Sequence, residues 1–472
     1  MSSKNGLVAL HHFVALPRGL GGCVIYRHAS LMRLFSKACA FRLQGAMVPE
    51  GTFTLTVDTC ESQQWRRDRD GAVCLDIDID RDGFVHRVAR AGSTSLPDGF
   101  TAAAMDGRQV WPGFVDAHAH IDKCHTWRRA PNPDGTLLGA RAAAKRDRQQ
   151  VWPYEEAYRR MDFALRTALA HGTIAVRTHL DSQEGRTAPF WAAFLALRSA
   201  WAGRIVLQGT LTLGIAKLAG PWGDRVADWA AENGLHLGPV VYDGPEAQQQ
   251  IDRAFDLAQS RGLELDFHVD ETDDAAADGL TQIAETVLAR GFKGRVLCSH
   301  ACSLARRSDA QAERTIALVR EAGIGIISLP MTNIYLQDRK PSATPRWRGI
   351  TLLRELKRAG VPVALAGDNV RDAFHPYGDH DLVDVFRDAV RLGHLDLPIG
   401  DWPCAVTSTP AGMLGLGGRA RIAAGTPADL VIFDGRDYTE VLARHGQGRI
   451  VLRKGREIPH DLPDYRELDP AP

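Results

Sequence analysis

The chain has no excess of charge of either sign: 57 Lys and Arg balance 57 Asp and Glu. A protein that gathers nucleic acid needs a basic field, so that class is set aside. No apolar run approaches the ~20 residues needed to cross a bilayer as a helix, so no membrane role is expected. The eight cysteines form no CxxC pair, which suits free thiols in a reducing compartment better than a disulfide framework. No GxGxxG fingerprint follows any strand-like run, which argues against a doubly wound dinucleotide fold. Acidic residues are missing from the first 49 positions, although Lys4, Arg18, Arg27, Arg33, Lys37 and Arg42 are present. That composition resembles an organelle-targeting segment. The competing and preferred reading is a start displaced upstream of Met47, because MVPEGTFTLTVD opens a first strand. Residues 1–46 are therefore expected to lie outside the fold. The protein is expected to be cytoplasmic, or organelle-targeted if that segment is genuine.

What remains is an ordinary globular composition, with 44% hydrophobic and 24% charged residues over 472 positions. The length suits a large barrel with an appended module. Residues 47–111 read as β-structure (TFTLTVD, AVCLDIDID, GFVHRVAR after an RDG turn), and residues 418–460 return to that style. Neither block is large enough for its own core, so the two are expected to pair into one small β-sandwich. Residues 112–417 alternate short apolar runs with helix-patterned segments that mostly end in Gly. The runs lie at 114–120, 173–181, 204–213, 237–242, 263–271, 295–302, 323–332 and 361–369. That rhythm predicts an α/β chain with a (β/α)8 TIM-like barrel, followed by a tail at 461–472.

Barrel active sites gather at the C-terminal ends of the strands. VDAHAHIDK places His118 and His120 two apart at the end of the first strand, where alternation points both to one face. Alone, an HxH pair is often surface decoration or hydrogen-bonded core. The other strand ends add Asp181, His268 with Glu271, His300, and Asp368. Packing does not explain histidines ending three separate strands with an acid on a fourth, so a metal centre is expected. Imidazoles and a carboxylate without cysteine suit Zn²⁺ or Fe²⁺. Such an ion lowers the pKa of its water towards neutrality. Glu271, in FHVDETDD, is a natural proton shuttle, although a charge run also reads as a solvated loop. His179 is expected to be structural or supporting, and Asp181 to orient a histidine. His125, His171 and His236 read as ordinary loop or helix-end residues.

From about Trp111 to Ile458 the motifs resemble the amidohydrolase superfamily, specifically its cytosine deaminase branch. The resemblance is carried by PGFVDAHAHID, NPDGTL, VRTHLD, LDFHVDETDD, SHACSL, LPMTNIYLQDR, PRWRGI, LAGDNVRD and AAGTPADLVIFD. It implies one divalent metal held by His118, His120, His268 and Asp368, because no lysine ends the fourth strand as in binuclear relatives. It further implies Glu271 as the proton shuttle, His300 as assistant to water and substrate, and Asp368 as a second proton acceptor. Asp122 becomes a support rather than a ligand. The implied reaction is hydrolytic deamination of a small amino-substituted N-heterocycle, cytosine or a related pyrimidine or imino compound, with release of ammonia.

Substrate recognition departs from that pattern. Thr212 stands where cytosine deaminases carry glutamine, and Gln208 comes too early. Asn369 replaces a second aspartate, Gly367 a histidine, and Phe374 a tryptophan. Leu137, at the end of DGTL, retains a backbone contact. Expected substrate contacts are therefore Leu137, Thr212, His300, Asn369 and Phe374, and a lost buried amide changes which ring edge can be satisfied. Two other functions are open: hydrolysis of a cyclic amide or N-alkylamino bond of a heterocycle, and a catalytically silent barrel subunit. Loss of a ligand or of Glu271 would signal the silent case, and all are present. The partner expected is a small heterocycle, and a homo-oligomer is allowed for.

Overall fold

A computed structural model describes residues 31, 34–36, 38–56, 67–150, 152–446 and 448–469. Four N-terminal strands, β1 (Phe41–Pro49), β2 (Ala72–Ile79), β3 (Val85–Arg90) and β4 (Thr101–Ala104), form a sheet in the order β3-β2-β1-β4. β5 (Val110–Pro112) leaves it to join three late strands, numbered below. The RDG turn between β2 and β3 is held by Asp80, whose carboxylate accepts the N–H groups of Asp82 and Phe84. Gly83 sits there at φ 82°, and a Cβ would lie 1.9 Å from the Lys454 carbonyl oxygen, so only glycine lets the two chain ends meet.

The expected start of the fold at Met47 is corrected. β1 begins at Phe41, and its first half pairs with both β2 and β4. Leu31 and Phe35 are buried in the same core. FRLQGAMVP lacks acidic residues because Arg42 supplies the cation to acids on the neighbouring strand, not because it lies outside the fold. The remainder of the targeting or displaced-start reading falls on residues outside those described.

The barrel follows. β6 (Phe114–Ala119), β7 (Thr173–Asp181), β8 (Val206–Gly214), β9 (His236–Val240), β10 (Leu265–Val269), β11 (Val296–His300), β12 (Gly325–Ser328) and β13 (Val363–Leu365) form one eight-stranded parallel sheet in sequence order. Each predicted run overlaps one of these strands, and the bounds differ by one residue at Gly214 and His236. The first crossover is long because it carries two helices, Leu137–Arg148 and Tyr154–Ala170. The Thr136 hydroxyl caps the former by accepting the Gly139 N–H at 2.9 Å. The sheet closes through a bridge between Ala119 and Asp368. The late strands β14 (Leu430–Phe433), β15 (Arg449–Arg453) and β16 (Arg456–Ile458) form a sheet in the order β16-β15-β14-β5. Its Leu430, Ile432, Ile450 and Leu452 share one buried core with Phe41, Leu75, Ile77 and Val88 of the first sheet. Among the described residues, no helix is long and apolar enough to cross a membrane.

Candidate metal centre and active site

The barrel closes at its chemistry. The Asp368 N–H donates to the His118 carbonyl at 2.8 Å, and the His120 N–H donates to the Asp368 carbonyl at 3.0 Å. Three candidate ligands are thereby fixed to one another by backbone. Asp116, two residues before His118 and of the same strand parity, accepts the N–H groups of Gly367 at 3.1 Å and His118 at 3.3 Å. Burial pushes its carboxyl up to about 7. A Cβ at position 367 would lie 2.9 Å from Asp116 Oδ2, so glycine keeps the Asp116 carboxylate against its N–H.

Four side chains converge there. The Nε2 atoms of His118 and His120 lie 3.5 and 3.4 Å from the same Asp368 Oδ1. His268 Nε2 is 3.3 Å from His120 Nε2. All four residues are buried, and burial drives the three imidazoles well below their ordinary range, so each is neutral. Among the described residues, both ring nitrogens of His118 and both oxygens of Asp368 have no hydrogen-bond partner. Burial raises the Asp368 carboxyl, and the nearby Thr332 hydroxyl opposes this without reaching hydrogen-bond geometry. Buried polar groups are nearly always paired, so this cluster is complementary to something absent from the protein atoms. Neutral nitrogen donors and one carboxylate fit a divalent cation of the zinc or iron type.

Beside the cluster stands Glu271, whose Oε1 is 3.7 Å from His300 Nδ1. Burial raises Glu271 to about 7, with Arg141, 3.9 Å away, opposing. Asn333 Nδ2 faces His300 Nδ1 at 3.0 Å. A hydrogen donated there leaves the imidazole's own hydrogen on Nε2, which has no protein partner. Burial lowers His300 to about 4, so it is a neutral donor near pH 7.

A cleft of about 720 Å³ opens over these groups, lined among others by Thr212, Asn369 and Phe374. Thr212 Oγ1 is 3.1 Å from His179 Nδ1, and the His179 ring lies 3.8 Å from that of His118. His179 therefore packs directly against the histidine cluster, its ligand atom close to those of His118 and His268. Asn369 donates to Asp372 at 2.7 Å, and Lys123 Nζ sits 4.9 Å over the Phe374 ring. Leu137, like Tyr335 and Phe374, packs against the small buried cluster of Ala140, Ala143, Leu336 and Ala373, and it is not among the residues that line the cleft. The expectation for Asp181 is corrected: it orients no histidine but pairs with Lys123 at 3.3 Å and Arg148 at 2.6 Å. Those cations come from the loop after β6 and from the helix Leu137–Arg148, which no local spacing rule connects to Asp181. Asp122 accepts the Asp181 N–H at 2.8 Å, a supporting contact. Sequence reasoning passed over Arg141 and Asn333, although Asn333 lies within the LPMTNIYLQDR motif. His125 is not an ordinary loop residue, since it is buried against His380.

Known proteins share this architecture. Residues 239–458 match the model of the Amidohydrolase family. A pterin deaminase of Rhizobium rhizogenes is 45% identical over 402 residues, covering 85% of this chain and 91% of that protein. An N-isopropylammelide isopropyl amidohydrolase of a Pseudomonas species is 24% identical, covering 75% and 87%. The crystal structure of 5-methylcytosine deaminase from Klebsiella pneumoniae with phosphonocytosine superimposes with a TM-score of 0.75 at 27% identity, covering 89% of this chain and 98% of that one. With its eight-stranded parallel barrel and its buried histidine–aspartate cluster, the chain belongs to the amidohydrolase superfamily, in the cytosine deaminase-like branch.

Proposed function

We propose that the protein is a metal-dependent hydrolytic deaminase of an amino-substituted N-heterocycle, and that this heterocycle is a pterin. The carrying observation is the unpartnered His118–His120–His268–Asp368 cluster with Glu271 and His300 beside it in one cleft. The 45% identity to a pterin deaminase supports the bicyclic ring, and the volume of the cleft leaves room for one.

His118, His120, His268 and Asp368 would hold the metal. A divalent ion in that place supplies Lewis acidity and lowers the pKa of a water it binds. Glu271, in its ionised form, takes a proton from the attacking water and delivers it to the ring nitrogen next to the amino-bearing carbon. That carbon becomes electrophilic, and the water oxygen adds to it. The His300 Nε2–H donates to that oxygen. Asp368 accepts the second proton and passes it towards the departing amine, so water and aminoheterocycle become oxoheterocycle and ammonia. Phe374 and Asn369 line the cleft, and Thr212 reaches a ring there only by sharing its hydroxyl with His179.

The test is ammonia release by Zn- and Fe-loaded protein from pterin, cytosine, 5-methylcytosine, isocytosine, creatinine and aminotriazines, with Glu271→Gln as control. Pterin is expected to be the best substrate, with release abolished in the variant. No ammonia from any compound, despite bound metal, sinks the deaminase reading. Isopropylamine from N-isopropylammelide would instead support hydrolysis of an N-alkylamino bond, as the Pseudomonas relative's name describes.

A further inference from the structure

A second cluster of donor atoms lies outside the catalytic cleft. Cys124 and His125 follow β6 in the loop DKCHTW, and His380 lies between β13 and the helix Leu382–Gly393. All three are buried. Their ligand atoms lie within 4.8 Å of one another, and the two Nε2 atoms are 3.2 Å apart. Two imidazoles on one tetrahedral zinc keep their nitrogens about 3.3 Å apart, given metal–nitrogen bonds of about 2.0–2.1 Å. Both histidines hold left-handed backbone, at φ 58° and 54°, on two separate loops. Non-glycine residues keep that conformation only where their surroundings impose it. Burial lowers His125 to about 2 and His380 to about 4, so neither carries a charge that would repel a cation. His125 also lines a second cleft, of about 480 Å³, with Arg160, Arg371 and Tyr465.

We propose that Cys124, His125 and His380 form a second, thiophilic metal site, taking one zinc-class divalent ion through Sγ and the two Nε2 atoms. A fourth position is left for water. The Cys124 thiol now faces the Ile121 carbonyl at 3.2 Å and the Arg160 carbonyl at 3.6 Å. Binding replaces its S–H bond by a metal–sulfur bond and releases one proton to solvent, while the hydrogen that the two Nε2 atoms share moves to the Nδ1 of the ring that carries it. Arg160, close enough to favour the thiolate, works against the burial that raises the thiol. The site braces the two loops that leave the metal centre. The His125 N–H donates to the Val370 carbonyl at 3.0 Å and the Trp127 N–H to the Arg371 carbonyl at 2.8 Å, joining the chain after His120 to the chain after Asp368.

The two sites differ in one readable respect: among the described residues, no cysteine lines the catalytic cleft. The experiment is titration of the metal-free full-length protein with Co²⁺, followed by near-ultraviolet absorption and by bound-metal stoichiometry. Two equivalents are expected in the wild type, one of them with a thiolate-to-cobalt charge-transfer band. Cys124→Ser is expected to lose the band and one equivalent while keeping the other, which also reports that the barrel is folded. His380→Gln, which keeps the thiol, is expected to lose the same equivalent, and it decides the matter if the serine variant fails to fold. A single equivalent without the band in the wild type overturns the proposal. So does a band that survives Cys124→Ser.

Discussion

In the two-sheet module Arg42 is 3% exposed and fully used: it donates to Asp78 at 2.6 and 3.1 Å, to the Thr94 carbonyl at 2.9 Å and to the Ser95 carbonyl at 3.0 Å. Asp78 also accepts from Arg87 at 2.8 Å, and Asp76 accepts the N–H groups of Gly45 and Gly92. In the barrel mouth Asp368 is 2% exposed, and neither of its oxygens has a hydrogen-bond partner among the described residues. The two regions bury charge equally deeply and satisfy it differently. A buried charge completed by the protein holds the fold together; one left open is a cost the fold carries for a ligand. The contrast separates structural from functional groups without reference to any relative, and each side of it can be attacked by mutation.

The largest effect is expected at Glu271, which belongs to the mouth and has no structural partner closer than 3.7 Å. Glu271→Gln should lower the turnover of the loaded enzyme by about 10²–10⁴-fold, the worth of a general acid–base group. Metal content should stay at the wild-type value. A variant that loses its metal instead would place Glu271 among the ligands. On the other side of the comparison, Asp78→Ala takes from Arg42 its bidentate partner and leaves only Asp76, at 3.6 Å. Leaving one member of a buried pair uncompensated costs about 3–5 kcal/mol, which urea unfolding would read directly. The folded fraction should bind metal as before.

Asp368→Asn tests the open side of the contrast. In chelator-treated protein, where Asp368 is only a burden, the substitution should leave the thermal midpoint unchanged or raise it. With metal added, the wild type should gain stability, since anything that binds only the native state stabilises it, and the variant should not. A metal-free variant much less stable than the metal-free wild type would show that Asp368 has a structural partner after all.

The pH dependence is smaller and has a definite sign. Burial holds the folded Glu271 carboxyl at about 7, above the ~4.3 of an unfolded glutamate. The native state therefore keeps its proton longer than the unfolded state. Its contribution to stability is full below about pH 4.3 and is lost as pH rises to about 7. Metal-free wild type should accordingly lose stability across that window relative to Glu271→Gln. Equal slopes for the two proteins would show that burial leaves the carboxyl unshifted.

The barrel was legible because each strand is a short apolar run and each helix carries its own period and stop. The ligands were legible because they sit at strand ends, a position that the fold class fixes. Asp181 was misread for the opposite reason: its partners Lys123 and Arg148 come from a loop and an added helix, and only tertiary packing brings them to it. Arg141 reaches Glu271 from that same helix. The boundary at Met47 failed because it rested on composition, while Arg42 finds its acids one strand away. Even His125 gave no signal, since His380 arrives from the far end of the barrel.

The smallest expected effect concerns Thr212, where the contrast is least clear-cut. Its hydroxyl is partnered, by His179 at 3.1 Å, yet it also lines the cleft. Thr212→Val keeps the shape and removes that hydrogen bond, worth about 0.5–1.5 kcal/mol. If the hydroxyl serves only to hold His179 against His118, kcat should fall by at most about tenfold, with KM unchanged and the same loss for every heterocycle. If it also meets the substrate, KM should rise, and unequally between pterin and cytosine, because an unpaired ring polar group discriminates where a lost support does not. The split between kcat and KM across two substrates therefore assigns Thr212 to the satisfied side of the comparison or to the open one.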